Sequence, residues 1–155
     1  MYKKILVPHA GTPGGDKALE HAIGLAKSSS GEIIILHVIE DPPTMPVFYL
    51  HALQAKKIKT EMARVIGETK SFMEEEMQKH LEKCKKEGVL ARLKITSGFP
   101  AEEILRIITS QKIDIVVMSK RRKIKGIKSL LSMGSVSRKI VENTSCPVLL
   151  LDIPK

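Results

Sequence analysis

Ile33-Ile34-Ile35-Leu36-His37-Val38-Ile39 is a run of aliphatic residues broken once, by His37, and stopped by Asp41-Pro42-Pro43. It does not alternate between apolar and polar positions, so it reads as a strand covered on both faces. Strands of that kind belong to parallel sheets clothed by helices. Ile5-Leu6-Val7, ending at Pro8, and Ile113-Asp114-Ile115-Val116-Val117-Met118 have the same character. The composition agrees: apolar residues make up 43% of the chain and aromatics only 3%, so the core is aliphatic.

Helical patterns separate these runs. After the loop Gly11, Pro13, Gly14, Gly15, Asp16 is the expected N-cap of a helix with apolar positions Leu19, Ala22, Ile23 and Ala26, ended by Ser28-Ser29-Ser30-Gly31. Residues 44–50 carry no clear pattern. Met62, Val65, Ile66, Thr69, Phe72, Met73, Met77 and Leu81 then recur at three- and four-residue steps up to Gly88. An unbroken helix from Leu50 to Lys86 would be about 55 Å long, so a break near Gly67 or an overhang beyond the sheet is expected. The methionines of this stripe are read as core filler, and Glu74-Glu75-Glu76 as a solvated face.

Val89, Ala91, Leu93 and Ile95 alternate with Leu90, Arg92, Lys94 and Thr96, the pattern of an edge strand. Gly98 and Pro100 open a helix bearing Ile104, Leu105, Ile107 and Ile108. A last helix from about Ser135 to Glu142 precedes a strand at Pro147–Leu151. Strict strand–helix alternation over 155 residues, with no internal repeat or linker, gives one α/β domain over 1–155. Its expected architecture is Rossmann-like: a doubly wound parallel sheet with right-handed crossovers.

Cys84 and Cys146 are far apart and have no metal-ligand spacing, which suits reduced thiols in a cytoplasmic, soluble protein. His21, His51 and His80 lie on helical patterns without an HExxH or His/Cys grouping, so no metal site is expected. His9 reads as a loop histidine at the mouth of a ligand site, and His37 as a packed or capped core histidine. No catalytic triad or acid/base pair is visible.

Ligands of open α/β sheets bind beyond the carboxyl ends of the strands, where strand order reverses. That places a site at Pro8–Thr12, Ser119–Lys125 and Gly134-Ser135-Val136, where a helix start supplies amide groups and a positive dipole end for an anion or nucleotide. Six of the basic residues lie between Lys120 and Lys128 with no acid among them, and without them the formal net charge of +9 falls to +3. Lys120-Arg121-Arg122-Lys123, with Lys125 and Lys128, has three readings: a solvated loop, an anion clamp, or a surface for nucleic acid or an acidic partner. The absence of aromatics in the run argues against a base-stacking platform.

Lys4-Ile5-Leu6-Val7-Pro8, Leu36-His37-Val38, Gly98-Phe99-Pro100-Ala101-Glu102-Glu103-Ile104, Asp114-Ile115-Val116-Val117-Met118, Gly134-Ser135-Val136 and Cys146-Pro147-Val148-Leu149 together resemble the universal stress protein family. The resemblance implies a five-stranded sheet of order 3-2-1-4-5, a homodimer and, in some members, ATP with Mg2+ at the switch point. Its ATP-binding members follow the fourth strand with G-x-x-G, nine residues, then G-[ST]. Only Gly134-Ser135 matches. Counting back from Gly134 puts Arg121 and Ile124 at the glycine positions, whereas counting from Met118 puts Ser119 and Arg122 there. The aspartate usual after the first strand is Ala10 here. The tentative nucleotide or anion site is Val38, Met118, Gly134, Ser135, Val136, Arg121 and Arg122.

The first functional expectation is a stress-response binding and regulatory domain, with weak or no ATP binding and at most slow hydrolysis. The alternative is a nucleotide-binding member whose basic loop replaces the missing glycines. A basic module for nucleic acid or an acidic partner comes third. Val148-Leu149-Leu150-Leu151, apolar at a sheet edge, invites aggregation unless covered. Pairing of two copies through it is therefore expected, as the resemblance also implies.

Overall fold

The computed structural model describes residues 1–41, 51–120 and 134–152. Its strands are β1 (Lys4–Pro8), β2 (Glu32–Glu40), β3 (Ala91–Gly98), β4 (Ile115–Lys120) and β5 (Val148–Asp152), and its helices α1 (Pro13–Ser29), α2 (Ala52–Lys86), α3 (Pro100–Gln111) and α4 (Ser135–Asn143). All pairings are parallel and the order is β3-β2-β1-β4-β5, as expected.

Alternation along the central strands sorts side chains into two cores. Ile5, Val7, Ile33, Ile35, Ile115 and Val117 face α1 and the end of α2, packing on Leu19, Ile23 and Cys84. Leu6, Ile34, Leu36, Val116 and Met118 face the other way, onto Ile104, Ile107 and Ile108 of α3 and Ile140 of α4. Both faces are covered, which is why the runs read as continuously apolar. Asp114, the polar intruder in its run, accepts hydrogen bonds at one oxygen from the backbone N–H groups of Lys3 and Lys4, each at 2.8 Å. It thereby pins the start of β1 beside β4, the pairing at which strand order reverses.

Two expectations, the N-cap of the first helix and the core role of the methionine stripe, are corrected. Thr12, not Asp16, is the N-cap of α1: its hydroxyl accepts from the Gly15 N–H at 3.3 Å, and Pro13 takes the first turn. Asp16 lies inside the first turn, where its charge complements the dipole. Of the two outcomes expected for the long helix, the overhang holds: it runs through Gly67 unbroken for 35 residues, about 52 Å, and extends beyond the sheet. Only Met77, His80 and Cys84 of α2 are buried. Met62 and Met73 are half-buried and Phe72 is exposed, so the apolar stripe is core only near its C-terminal end. The unassigned segment 44–50 lies outside the described residues.

Candidate functional site

At the reversal between β1 and β4 the helices that follow, α1 and α4, lie on opposite faces of the sheet, and a cavity of about 620 Å³ opens at the strand ends. Its walls come from the strand ends and from two helix starts. Leu36, Val38 and Met118, with Ile104 of α3, make an apolar side. His9, Ala10, Thr12, Gly14 and Gly15 line the β1–α1 side, and Gly134 to Ser137 the α4 side. Glu40 and Lys120 bring one charge of each sign to the cavity.

The two helix starts differ. At α1 the Thr12 hydroxyl already accepts an amide hydrogen. At α4 the N-cap is Gly134, which has no side chain to do so, and the first residue, Ser135, is exposed. Among the described residues, the leading amides of α4 therefore face the cavity without a side-chain acceptor, the arrangement that favours an anionic oxygen.

His9 lies in the loop after β1, as expected, but is buried there, with 2% of its surface exposed. Its N–H donates to the Leu36 carbonyl at 2.8 Å, its carbonyl accepts from His37 Nδ1 at 2.8 Å, and its ring lies against Gly15. His37, half-buried, is thus the capped histidine expected, with its proton on Nδ1. Gly11 N–H donates to His9 Nδ1 at 3.1 Å, which fixes the neutral ring with its proton on Nε2, 3.2 Å from Asp16 Oδ1. Burial, reinforced by repulsion from His80 and opposed by Asp16, holds His9 down at about 4. Burial likewise lowers His80, against the pull of Asp16. Both rings are neutral at pH 7.

Of the residues expected at the site, Val38, Met118, Gly134, Ser135 and Val136 line one cavity. Arg121 and Arg122 lie outside the described residues, as does the basic run beyond Lys120. Sequence reasoning missed Ile104, Glu40 and the buried Ser137. Ser137 carried a usable signal, since a third residue of a helix start lies beside the first two in any phosphate cradle.

A model of the universal stress protein family matches residues 1–152. The chain belongs to the universal stress protein family. A universal stress protein of Methanocaldococcus jannaschii, MJ0531, is 31% identical over 157 aligned positions, covering 100% of this chain and 85% of that protein. The solved structure of a second protein, MJ0577, superposes with a TM-score of 0.80 at 24% identity, covering 100% of this chain and 99% of that one. Two more distant universal stress protein structures hold nucleotides. One is in complex with cAMP (TM-score 0.68, 15% identity, 97% of each chain). The other, from Arabidopsis thaliana, has AMP bound (TM-score 0.59, 18% identity, 98% of this chain and 92% of that one). At these identities the structures establish the fold. No helix among the described residues is long and apolar enough to cross a membrane.

Proposed function

We propose that this universal stress protein acts by binding an adenosine mononucleotide in the switch-point cavity, and that it signals through association rather than turnover. The observation that carries the reading is the start of α4, which presents amides that no described side chain caps, together with the Ser135 hydroxyl, to a cavity whose opposite wall is apolar. The nucleoside packs against Leu36, Val38, Ile104 and Met118, and the phosphate sits at Gly134 to Ser137. The volume lies within the range of about 300–1,000 Å³ usual for small-ligand sites, and the AMP- and cAMP-bound relatives support the ligand class. The missing glycines remove close backbone approach to a longer phosphate tail, and Ala10 lacks the carboxylate usual after the first strand. A single phosphate therefore suits this chain better than ATP with Mg2+.

Calorimetric titration of ligand-stripped protein tests this. AMP is expected to bind in the micromolar range, and Ser135→Ala to weaken it roughly ten- to hundredfold, the loss of one hydrogen bond to a charged group. No heat with millimolar AMP would overturn the reading. ATP·Mg2+ binding far more tightly than AMP would instead favour the alternative in which Arg121 or Arg122 replaces the lost glycines. Steep salt dependence with nucleic acid would favour the third reading.

The effector step is proposed to run through a dimer. β5 is an edge strand whose residues from Val148 to Leu151 are all half-buried, with one side of its backbone unpaired within the described sheet. Pairing of two β5 strands covers Val148, Leu149, Leu150 and Leu151 and removes that edge. Light scattering at micromolar concentration should give twice the chain mass of 17.2 kDa, and a monomer would contradict it.

A further inference from the structure

Three side chains distant in sequence meet beside the cavity: His9 after β1, Asp16 in the first turn of α1, and His80 near the end of α2. His9 Nε2 lies 3.2 Å and His80 Nδ1 3.7 Å from the same oxygen, Asp16 Oδ1. One ligand atom from each residue falls within 4.8 Å of the other two. The two rings are 4.2 Å apart, centroid to centroid, and tilted by 41°. The histidines are buried, at 2% and 7% exposure, while half of the Asp16 side chain faces solvent. The cluster is therefore rigid on the protein side and open on the other. We propose that His9 Nε2, Asp16 Oδ1 and His80 Nδ1 form a three-ligand site for a divalent cation of the Zn2+ class, with water completing the coordination.

The geometry is close to what such an ion needs. Bonds of about 2.0–2.2 Å in tetrahedral array put ligand atoms roughly 3.3 Å apart. Two of the edges already measure 3.2 and 3.7 Å. Two imidazoles and one carboxylate select a borderline transition metal over Mg2+ or Ca2+, which prefer sets made of oxygen. As a hydrogen-bonded set the trio is incomplete, because 3.7 Å is too long for a good bond from His80 to Asp16.

Ion binding has a local consequence that distinguishes it from adventitious surface binding. The Gly11 N–H points at His9 Nδ1, and the His9 proton sits on Nε2. An ion on Nε2 moves that proton to Nδ1, with no net release from this ring, and the Gly11 amide must then turn away. Gly11 holds φ +71°, and as glycine it can rotate where another residue would resist. Its neighbour Ala10 lines the cavity, so filling the metal site reshapes one wall of the ligand pocket.

The test is titration of Zn2+ into the full chain after chelator treatment, with His21→Ala, on the exposed face of α1, as the control. The expected result is one ion per chain at micromolar or lower free Zn2+, with His80→Gln weakening uptake by roughly 100-fold or more, beyond the 10–100-fold that loss of an outer partner costs. Asp16→Asn, half-exposed and able to keep a hydrogen bond to His9, should weaken it likewise and guards against misfolding as the cause. Nitrogen NMR of the histidine rings should show His9 passing from the Nε2–H to the Nδ1–H form. No uptake at 100-fold higher free Zn2+, uptake unchanged in both site variants, or a His9 tautomer that stays put would each overturn the proposal.

Discussion

Gly31→Ala is expected to lower stability by about 3 kcal/mol, the combined cost of overpacking and of strained backbone hydrogen bonds. Gly31 lies where α1 turns into β2, and a Cβ there would stand 2.3 Å from the Tyr2 carbonyl oxygen and 3.3 Å from that of Lys3. Both obstacles are backbone, so neither can swing aside as a side chain would. The same carbonyls are in use: Ser29 Oγ donates to Tyr2 O at 2.6 Å and Glu32 N–H to Lys3 O at 2.8 Å. Making room means pulling β1 from β2 where their register starts. At about 2–4 °C per kcal/mol for a domain of this size, the melting temperature should fall by roughly 6–12 °C. Gly24→Ala is the matched control. It lies inside α1 with nothing within 4 Å of the added carbon, and should gain about 0.5–1 kcal/mol from helix propensity. Urea denaturation of both variants checks the two signs together. Equal small effects would show that the close approach at Gly31 is wrong.

Gly15→Ala should have the second large effect, and it reaches the site as well as the fold. The new carbon would lie 2.7–2.8 Å from Cε1, Nδ1 and Cγ of His9. That ring cannot retreat, because the residue is buried and its backbone is tied to Leu36. A loss of about 2–3 kcal/mol is expected from overpacking. Since both residues line the cavity, AMP binding should weaken along with stability. The double variant His9→Ala/Gly15→Ala removes the clash. Its stability should exceed what the two single losses add up to, a coupling of the kind that contacting residues show. Strict additivity would mean that ring and glycine do not touch.

The fold was legible in the sequence because burial on both faces leaves a plain mark. The runs at Ile5, Ile33 and Ile115 are aliphatic whichever way the side chain points, and helical periods separate them. The weaker points share a cause. The stripe on α2 has correct helical spacing, but spacing cannot tell that only its last turns reach the sheet. Asp16 and Thr12 both suit an N-cap, and Pro13 at the first helical position was the deciding signal for Thr12. At the site, Gly134, Ser135 and Val136 were found as a helix start facing the strand ends, and Val38 and Met118 lie in stretches that resemble the family. His9 and Asp16 lie seven residues apart across a helix cap, and His80 more than sixty residues further on. No sequence spacing marks their meeting; only the packing of α2 over the end of β1 brings them together.

The central claim is that a nucleotide occupies the cavity between β1, β4 and the start of α4. Amide chemical shifts followed during AMP titration test it most directly. The amides of Ala10, Gly15, Ser119, Ser135, Val136 and Ser137 should move together along one saturating curve, while those of Ala91 to Ile95 on the far edge strand stay still. An unchanged spectrum at millimolar AMP, or shifts confined to residues away from the cavity, would contradict the account.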